Sequence, residues 1–435
     1  MRKLFVLLLL LCCLLPAGAL AGTKMSIAAY EMGFDYDITT DQEWIVLIWD
    51  NPNEEGRKTL YSPDGHFTGS ISLPYAQAGG NYTITVQNLK QYKLESVKVS
   101  IPRAADYTAP SGKTNAKVTD LELTSTTTGF KYAFTAPDTD YMLLYFRSRT
   151  ENATFPVYPQ DAEGHYEGEI FAPLTYAKTL FTVQVRNAKG QSRIEKTVRK
   201  AFEAPEAPEQ QPGRLSGVVV CIDPGHQENG EFVKEPIGPG LKGYTTGKGG
   251  MAQGKATLRK EYVVTLETGM ILRNLLLQEG ATVVMTREVC EGFTTNLDRC
   301  RIAEEAGAHI MLRLHCDNNS NANKTGISIY APLNSDYARA VADKDTYRAL
   351  GEAFIDEMKK AVGYELSTKT GYVHLNDSYV GNNWAKMVCF QVEMGYMSNV
   401  GEDIKLATPE YQTMLAQGMV EGVYQVALMR GWIEE

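Results

Sequence analysis

The chain has 435 residues, of which 43% are hydrophobic, and a formal net charge of −9 at pH 7. This length is enough for two to four domains, each with its own core. The acidic balance argues against the basic surface with which proteins hold nucleic acid, so we expect no nucleic-acid partner.

The first 21 residues have the pattern of a cleaved export signal. Arg2 and Lys3 give a positive start, residues 4–15 form an apolar run too short to span a bilayer, and residues 19–21 (ALA) supply the small residues of a cleavage site. No later stretch is long and apolar enough to cross a membrane. We therefore expect a secreted or cell-wall protein that is not an integral membrane protein.

The cysteines that remain after this signal are odd in number. They all lie in the second half of the chain, as Cys221, Cys290, Cys300, Cys316 and Cys389. An odd set cannot pair fully, and several members fall on apolar runs where a cysteine acts as a small hydrophobe. We predict free thiols.

The N-terminal half contains an internal repeat. Residues 33–36 (GFDY) return as residues 129–132 (GFKY), and residues 44–49 (WIVLIW) return as residues 141–146 (YMLLYF). Short β-rich runs separated by Gly, Pro, Asn and Asp predict that each unit is an immunoglobulin- or fibronectin-like β-sandwich. Neither unit shows a cluster of acidic, thiol or imidazole groups that would suggest chemistry.

The predicted mature chain is therefore multidomain. We place the first sandwich at residues 22–105, the second at 114–202, a Pro/Glu-rich linker at 203–214 and an α/β domain at 215–435. The tandem sandwiches are interpreted as spacers or as wall-binding modules, in which case their ligand would be a wall polymer.

The second half alternates apolar strand-like runs with stretches of helical periodicity, including one helix predicted over residues 337–362. This alternation predicts a mostly parallel sheet flanked by helices. His226, His315 and Glu393 each follow or end an apolar run, and Glu261 opens a helix-like stretch. Because the carboxyl ends of parallel strands meet at one edge of a sheet, these groups can converge there.

The four residues suit a hydrolytic metal site. Zinc in such sites takes three protein ligands and leaves one position to water, a count that His226, Glu261 and His315 match. Glu393 is then a candidate for the carboxylate that shuttles the proton. Taken singly, each residue also fits a structural role, such as a hydrogen-bonded histidine or an acidic residue at a helix start.

Five separated motifs, in this order, resemble the zinc-dependent N-acetylmuramoyl-L-alanine amidase family. They are residues 223–226 (DPGH), 261–262 (EY), 283–287 (VVMTR), 312–317 (LRLHCD) and 392–399 (VEMGYMSN). The resemblance covers roughly residues 217–430. It implies that His226, Glu261 and His315 bind Zn²⁺ and that Glu393 is the catalytic glutamate. It also implies the substrate, which is the amide between N-acetylmuramic acid and L-alanine in bacterial peptidoglycan.

The chain departs from the family at Arg313, where serine is usual, and at Cys316, where a small residue is usual. Arg313 shares a strand face with His315, so it could repel a metal, or hold a substrate carboxylate or an inhibitory acidic group. Two alternatives to an active amidase therefore stay open: a cell-wall-binding or adhesion protein with an inactive amidase-like domain, and a zinc peptidase that acts on the stem peptide. The intact set of four residues favours the amidase.

Overall fold

The structure, a computed structural model, describes residues 22–109, 117–172, 177–229, 233–245, 250–363 and 373–434. The export signal expected over residues 1–21 lies outside them. Among the described residues, we find no helix with the length and apolar character needed to cross a membrane.

The first repeat folds into two sheets that share one core. Its strands are β1 (Lys24–Tyr30), β2 (Gly33–Thr39), β3 (Trp44–Asp50), β4 (Glu54–Tyr61), β5 (His66–Ser72), β6 (Gly80–Gln87) and β7 (Lys93–Ile101). Sheet β1-β2-β5 packs on sheet β4-β3-β6-β7. Alternate side chains of both sheets fill the core, for example Phe34 and Ile38 of β2 against Leu47 of β3 and Ile84 of β6.

The second repeat has the same strand order. Its strands are β8 (Thr119–Ser125), β9 (Gly129–Thr135), β10 (Met142–Arg147), β11 (Asn152–Val157), β12 (His165–Phe171), β13 (Leu180–Arg186) and β14 (Ser192–Arg199). Sheet β12-β9-β8 faces strands β14-β13-β10-β11. The N-terminal half is thus β-rich and built from repeated three-on-four sheets.

The two repeats are joined edge to edge. Strands β4 and β11 pair antiparallel, with Asn152 opposite Glu55 and Ala153 opposite Glu54, so that the two four-stranded sheets form one sheet of eight strands. The Asn152 side chain also donates a hydrogen bond of 3.2 Å to Glu55. The two repeats are therefore joined by strand pairing as well as by the chain that connects them.

The second half is an α/β domain. Its strands are β15 (Val219–Pro224), β16 (Thr282–Met285), β17 (Ile310–Asp317), β18 (Ser328–Ala331), β19 (Val373–Leu375) and β20 (Val388–Tyr396). Its helices are α1 (Glu261–Gln278), α2 (Asn296–Glu305), α3 (Asp336–Val341), α4 (Lys344–Val362), α5 (Val380–Trp384), α6 (Val400–Leu406) and α7 (Pro409–Arg430). The sheet order is β16-β15-β17-β20-β18-β19, and only the β18–β20 pair is antiparallel.

One helix prediction was wrong. The helix expected over residues 337–362 is two helices, α3 and α4, because Ala342 is extended at φ −163° and ψ 155°. Asp343 then caps α4 by accepting hydrogen bonds from the backbone N–H groups of Asp345 and Thr346. The five cysteines of this half are buried free thiols.

Both sandwiches contact the α/β domain. Trp44 of β3 is buried against Tyr411 of α7, with ring centroids 5.9 Å apart, and it also packs on Tyr61. On the second sandwich, Lys178 forms ion pairs with Glu228 and Glu291 of the α/β domain.

Residues 203–214, which join the halves, form neither helix nor strand. The Gln211 N–H donates to the carbonyl of Leu277, and Arg273 donates to the carbonyl of Pro205. The linker is therefore fastened to the α/β surface.

Candidate metal centre

Two histidines and one glutamate converge at the carboxyl edge of the α/β sheet. His226 follows β15, His315 lies near the end of the neighbouring β17, and Glu261 is the first residue of α1. Glu261 Oε1 lies 3.2 Å from His226 Nε2 and 3.1 Å from His315 Nδ1. One ligand atom from each residue falls within 4.8 Å of the others. The sequence prediction placed these three residues together, and the structure does so too.

The backbone around the first histidine allows this close approach. Gly225 lies so near β17 that a Cβ there would come within 2.5 Å of the His315 ring. Its N–H donates a 2.8 Å hydrogen bond to the carbonyl of Leu314. His226 itself has a φ of 60°, a left-handed conformation that a non-glycine residue adopts at a cost. The turn after β15 is therefore shaped to bring the two imidazoles together.

Glu261 is held as an anion before any metal binds. Its Oε2 accepts a 2.7 Å hydrogen bond from the Ala252 N–H, and its Oε1 accepts one of 3.0 Å from the Cys316 N–H. Burial alone would raise its pKa, but the hydrogen bonds with His226 and His315 outweigh burial and hold the pKa well below its usual range. A carboxylate fixed in this way is suited to a cation.

His315 is a mostly buried, neutral imidazole, with 13% of its side chain exposed. Burial lowers its pKa to about 4, against the opposing effect of Glu261. Its Nε2 has no hydrogen-bond partner among the described residues. Two imidazoles and one carboxylate are a ligand set that zinc takes in hydrolytic sites, so the residues present fit this metal.

Glu393 lies beside this triad. It is directly opposite His315 in the β17–β20 pairing, and only 5% of it is exposed. Its Oε1 accepts a 2.8 Å hydrogen bond from Gln391, while its Oε2 is buried without a partner among the described residues. Burial, with a smaller contribution from the charge of Glu261, raises the pKa of Glu393 to about 8.

All four residues line one cleft of about 520 Å³. Its walls also include backbone and side chains from β17, from α5 and from the segment before α1, among them Met251, Asp317, Asn318 and Tyr379.

Arg313 also lines the cleft, and it is paired with a buried carboxylate. Its Nε donates a 2.9 Å hydrogen bond to Asp223, which is fully buried and is also paired with Arg299. Burial opposes ionisation of Asp223, yet both arginines together hold its pKa below the usual range. Arg313 is thus part of a buried ion-pair cluster, in which it holds an acidic group of this chain, while its effect on a metal or on a substrate carboxylate stays a prediction.

Two further arginines support the turn that carries His226. Arg287 donates to the carbonyls of Pro224 and Gly225, and Arg299 donates to the carbonyls of Pro224 and His226. Donation to three successive carbonyls fixes the turn from both sides. Both arginines therefore stabilise the backbone around His226.

Sequence reasoning missed Asp403, which supports Glu261 from a distance. Asp403 accepts hydrogen bonds from the N–H groups of Ala256 and Thr257 and from the Thr257 hydroxyl, at 2.6 to 2.7 Å. It thereby fixes the segment that precedes α1. Ala252, whose N–H donates to Glu261, lies in the same segment. No local pattern marks this residue, because its partners lie 146 and 147 positions away.

Comparison with known proteins connects this site to a family. Residues 220–425 match the sequence model of the N-acetylmuramoyl-L-alanine amidase family. A probable cell wall amidase, LytH, of Staphylococcus saprophyticus is 29% identical over 181 residues, which are 41% of this chain and 55% of that protein. The chain thus spans about half the length of this relative.

A germination-specific N-acetylmuramoyl-L-alanine amidase of Bacillus subtilis is 26% identical over 230 residues, covering 50% of this chain and 83% of that protein. Among solved structures, the amidase Ami1 of Mycobacterium abscessus is 22% identical with a TM-score of 0.43, covering 49% of this chain and 99% of that one. The family-model match falls on the half of the chain that contains the triad.

Proposed function

We propose that this protein hydrolyses the amide between N-acetylmuramic acid and L-alanine in bacterial peptidoglycan. Residues 220–425, which match the N-acetylmuramoyl-L-alanine amidase model, support this proposal. The observation that carries the proposal is the convergence of His226 and His315 on the buried carboxylate of Glu261, beside the partnerless Oε2 of Glu393.

The proposed ligands are His226, Glu261 and His315, and the proposed metal is zinc. Bound there, zinc would lower the pKa of a water molecule and polarise the carbonyl of the scissile amide. Ala252 and Cys316 hold Glu261 through their backbone N–H groups, so its carboxylate needs little rearrangement on binding. Buried, neutral His315 offers its ring without prior loss of a proton near neutral pH.

Glu393 is the proposed proton carrier. Its carboxylate takes the proton from the attacking water as the new carbon–oxygen bond forms, and it passes that proton to the amine nitrogen as the carbon–nitrogen bond breaks. A pKa raised to about 8 by burial brings its proton affinity close to the working pH, which suits a group that must both accept and donate. A cation at the triad would counter the contribution of Glu261 and favour the ionised form.

We also propose that the two N-terminal units are immunoglobulin- or fibronectin-like modules that hold the catalytic domain in the wall. Their three-on-four strand arrangement supports this interpretation. Export to the cell wall follows from the substrate and from the signal pattern of residues 1–21.

The test is digestion of purified peptidoglycan by the mature protein, followed by analysis of the new termini. We expect free N-terminal L-alanine to appear, to vanish after chelation, to return with zinc, and to be absent with Glu393→Gln. New termini within the stem peptide would instead indicate a zinc peptidase. No cleavage by a protein that binds both zinc and peptidoglycan would support the wall-binding alternative.

A further inference from the structure

Two polar residues, Arg313 on β17 and Gln391 on β20, lie two positions before His315 and Glu393. In the parallel β17–β20 register, Arg313 lies opposite Gln391 and His315 lies opposite Glu393. Because alternate residues of a strand point to the same face, all four side chains face the cleft, and all four line it. Any contact between Gln391 and Glu393 therefore acts directly on the proposed proton carrier.

The orientation of the Gln391 amide follows from its partners. Its Nε2 lies 2.8 Å from Glu393 Oε1, and its Oε1 lies 3.4 Å from Arg313 Nη1. A guanidinium can only donate hydrogen bonds, so the amide oxygen must face Arg313 and the amide NH₂ must face Glu393. Arg313 thus determines that Glu393 receives a donor on Oε1.

Arg313 itself has little freedom to move. Its Nε donates to Asp223 Oδ2 at 2.9 Å, and its Nη2 donates to Asn296 Oδ1 at 2.7 Å. Its guanidinium also lies against Gly381, where a Cβ would come within 2.3 Å of Arg313 Cζ. The arginine is therefore fixed by an ion pair, a side-chain acceptor and a glycine that leaves room for it.

We propose that Arg313 and Gln391 are positioning residues that orient Glu393 for proton transfer, holding Oε1 so that Oε2 faces the cleft. This inference rests on the proposed function, because it takes Glu393 as the proton carrier. A merely structural role would affect stability alone, whereas orientation of a reacting group affects kcat.

The first experiment replaces the amide donor with an apolar side chain of similar length. For Gln391→Met we expect kcat for L-alanine release to fall about tenfold or more, with an upper limit set by the roughly 10²–10⁴-fold that positioned proton transfer contributes as a whole. KM and the zinc content should stay near the wild-type values, since no proposed ligand is changed.

Gln412→Met is the matched control. Gln412 is as buried as Gln391, at 3% exposure, and it also donates to a glutamate, Glu267, at 3.0 Å, but it lies in α7 outside the cleft lining. We expect this variant to retain wild-type kcat, even where its melting temperature falls. A similar loss of kcat in both variants, or no loss in Gln391→Met, would overturn the inference.

A double-mutant cycle tests the part assigned to Arg313. Arg313→Lys keeps a cation beside Asp223 but loses the branched guanidinium group, whose Nη1 contacts Gln391. We expect it to lower kcat in the wild-type background and to have little further effect in the Gln391→Met background. Equal effects in both backgrounds would show that Arg313 does not act through Gln391.

Crystal structures of wild type and Gln391→Met keep the inference separate from the proposed function. We expect the Glu393 carboxylate to rotate or to become disordered in the variant. An unchanged Glu393 conformation would refute the positioning role even if the wild-type protein released no L-alanine, an outcome that would by itself refute only the amidase proposal.

Discussion

The two halves of the molecule use histidine and carboxylate in opposite ways. In the sandwiches, His66 lies 3.0 Å from Asp37 and His165 lies 2.6 Å from Asp161, and these side chains are 40–61% exposed. In the α/β domain, His226 and His315 share Glu261, whose side chain is only 3% exposed. The same residue types thus form isolated surface pairs in one half and a buried convergent site in the other.

Two buried glutamates extend this comparison. Glu54 of the first sandwich is buried with one hydroxyl donor, from Tyr82 at 2.8 Å, and burial raises its pKa to about 7. Glu261 is also buried, but hydrogen bonds from two histidines outweigh burial and lower its pKa. Burial makes a carboxylate neutral unless donors converge on it, and in this chain such convergence occurs at the proposed metal site.

The largest effect is expected for a change at Glu261, the carboxylate that both imidazoles share. Glu261→Gln removes the anion shared by both imidazoles, so zinc content after dialysis should fall well below one per chain. Activity should drop more than about a hundredfold. Loss of a residue that only supports a metal ligand already costs up to about a hundredfold, and Glu261 is itself a proposed ligand. Metal analysis and L-alanine release measure the two effects.

Asp161→Asn is the control for that variant. It removes the carboxylate partner of His165, but this pair lies at the surface, where such contacts contribute little. We expect zinc content and activity to stay at wild-type levels. Loss of zinc from Asp161→Asn, or full zinc content in Glu261→Gln, would contradict the distinction between the two halves.

The contact between the halves should give the next largest effect. Trp44→Ala removes a buried ring from between Tyr61 and Tyr411, which should cost about 3–5 kcal/mol of stability. Calorimetry should then resolve separate unfolding transitions for the sandwiches and the α/β domain, with zinc binding retained. Tyr92→Ala, at a ring 68% exposed, should leave the thermogram unchanged. A single transition in both variants would show that Trp44 does not couple the halves.

A smaller, pH-dependent effect is expected at Glu54. Because its pKa is raised from 4.5 to about 7, the folded state binds more protons than the unfolded state between these values. Stability contributed by this group is therefore present below about pH 4.5 and is lost as pH rises through 7, by up to about 3 kcal/mol.

Glu54→Gln should remove this dependence and raise the melting temperature of the sandwiches above pH 7, roughly by 5–10 °C. Calorimetry from pH 4 to 8 measures it. Wild type and variant curves that stay parallel over that range would contradict the expected role of Glu54.

The sequence predicted features that depend on local patterns. Apolar runs predicted strands β17 and β20, which continue past His315 and Glu393, and the helix signal at Glu261 agrees with the start of α1. The break between α3 and α4 was missed, although Asp343 is a residue type that caps helices.

Contacts between residues far apart in the chain could not be predicted from the sequence. Asp223 binds Arg313 from 90 positions away, and the side chain of Asn383 in α5 donates to the carbonyl of Ile237, 146 positions away. Trp44 resembled an ordinary strand residue, yet it packs on another domain. Such pairings depend on tertiary geometry, which no spacing within a single strand or helix encodes.

The pairing of β4 with β11 has a consequence for how the chain avoids aggregation. An uncovered edge strand presents unpaired N–H and C=O groups on which another chain can add a strand. Here each sandwich covers part of one edge of the other, with Asn152 and Ala153 facing Glu55 and Glu54. The two copies therefore shield this part of each other, and deletion of one copy would expose these backbone groups to pairing with another chain.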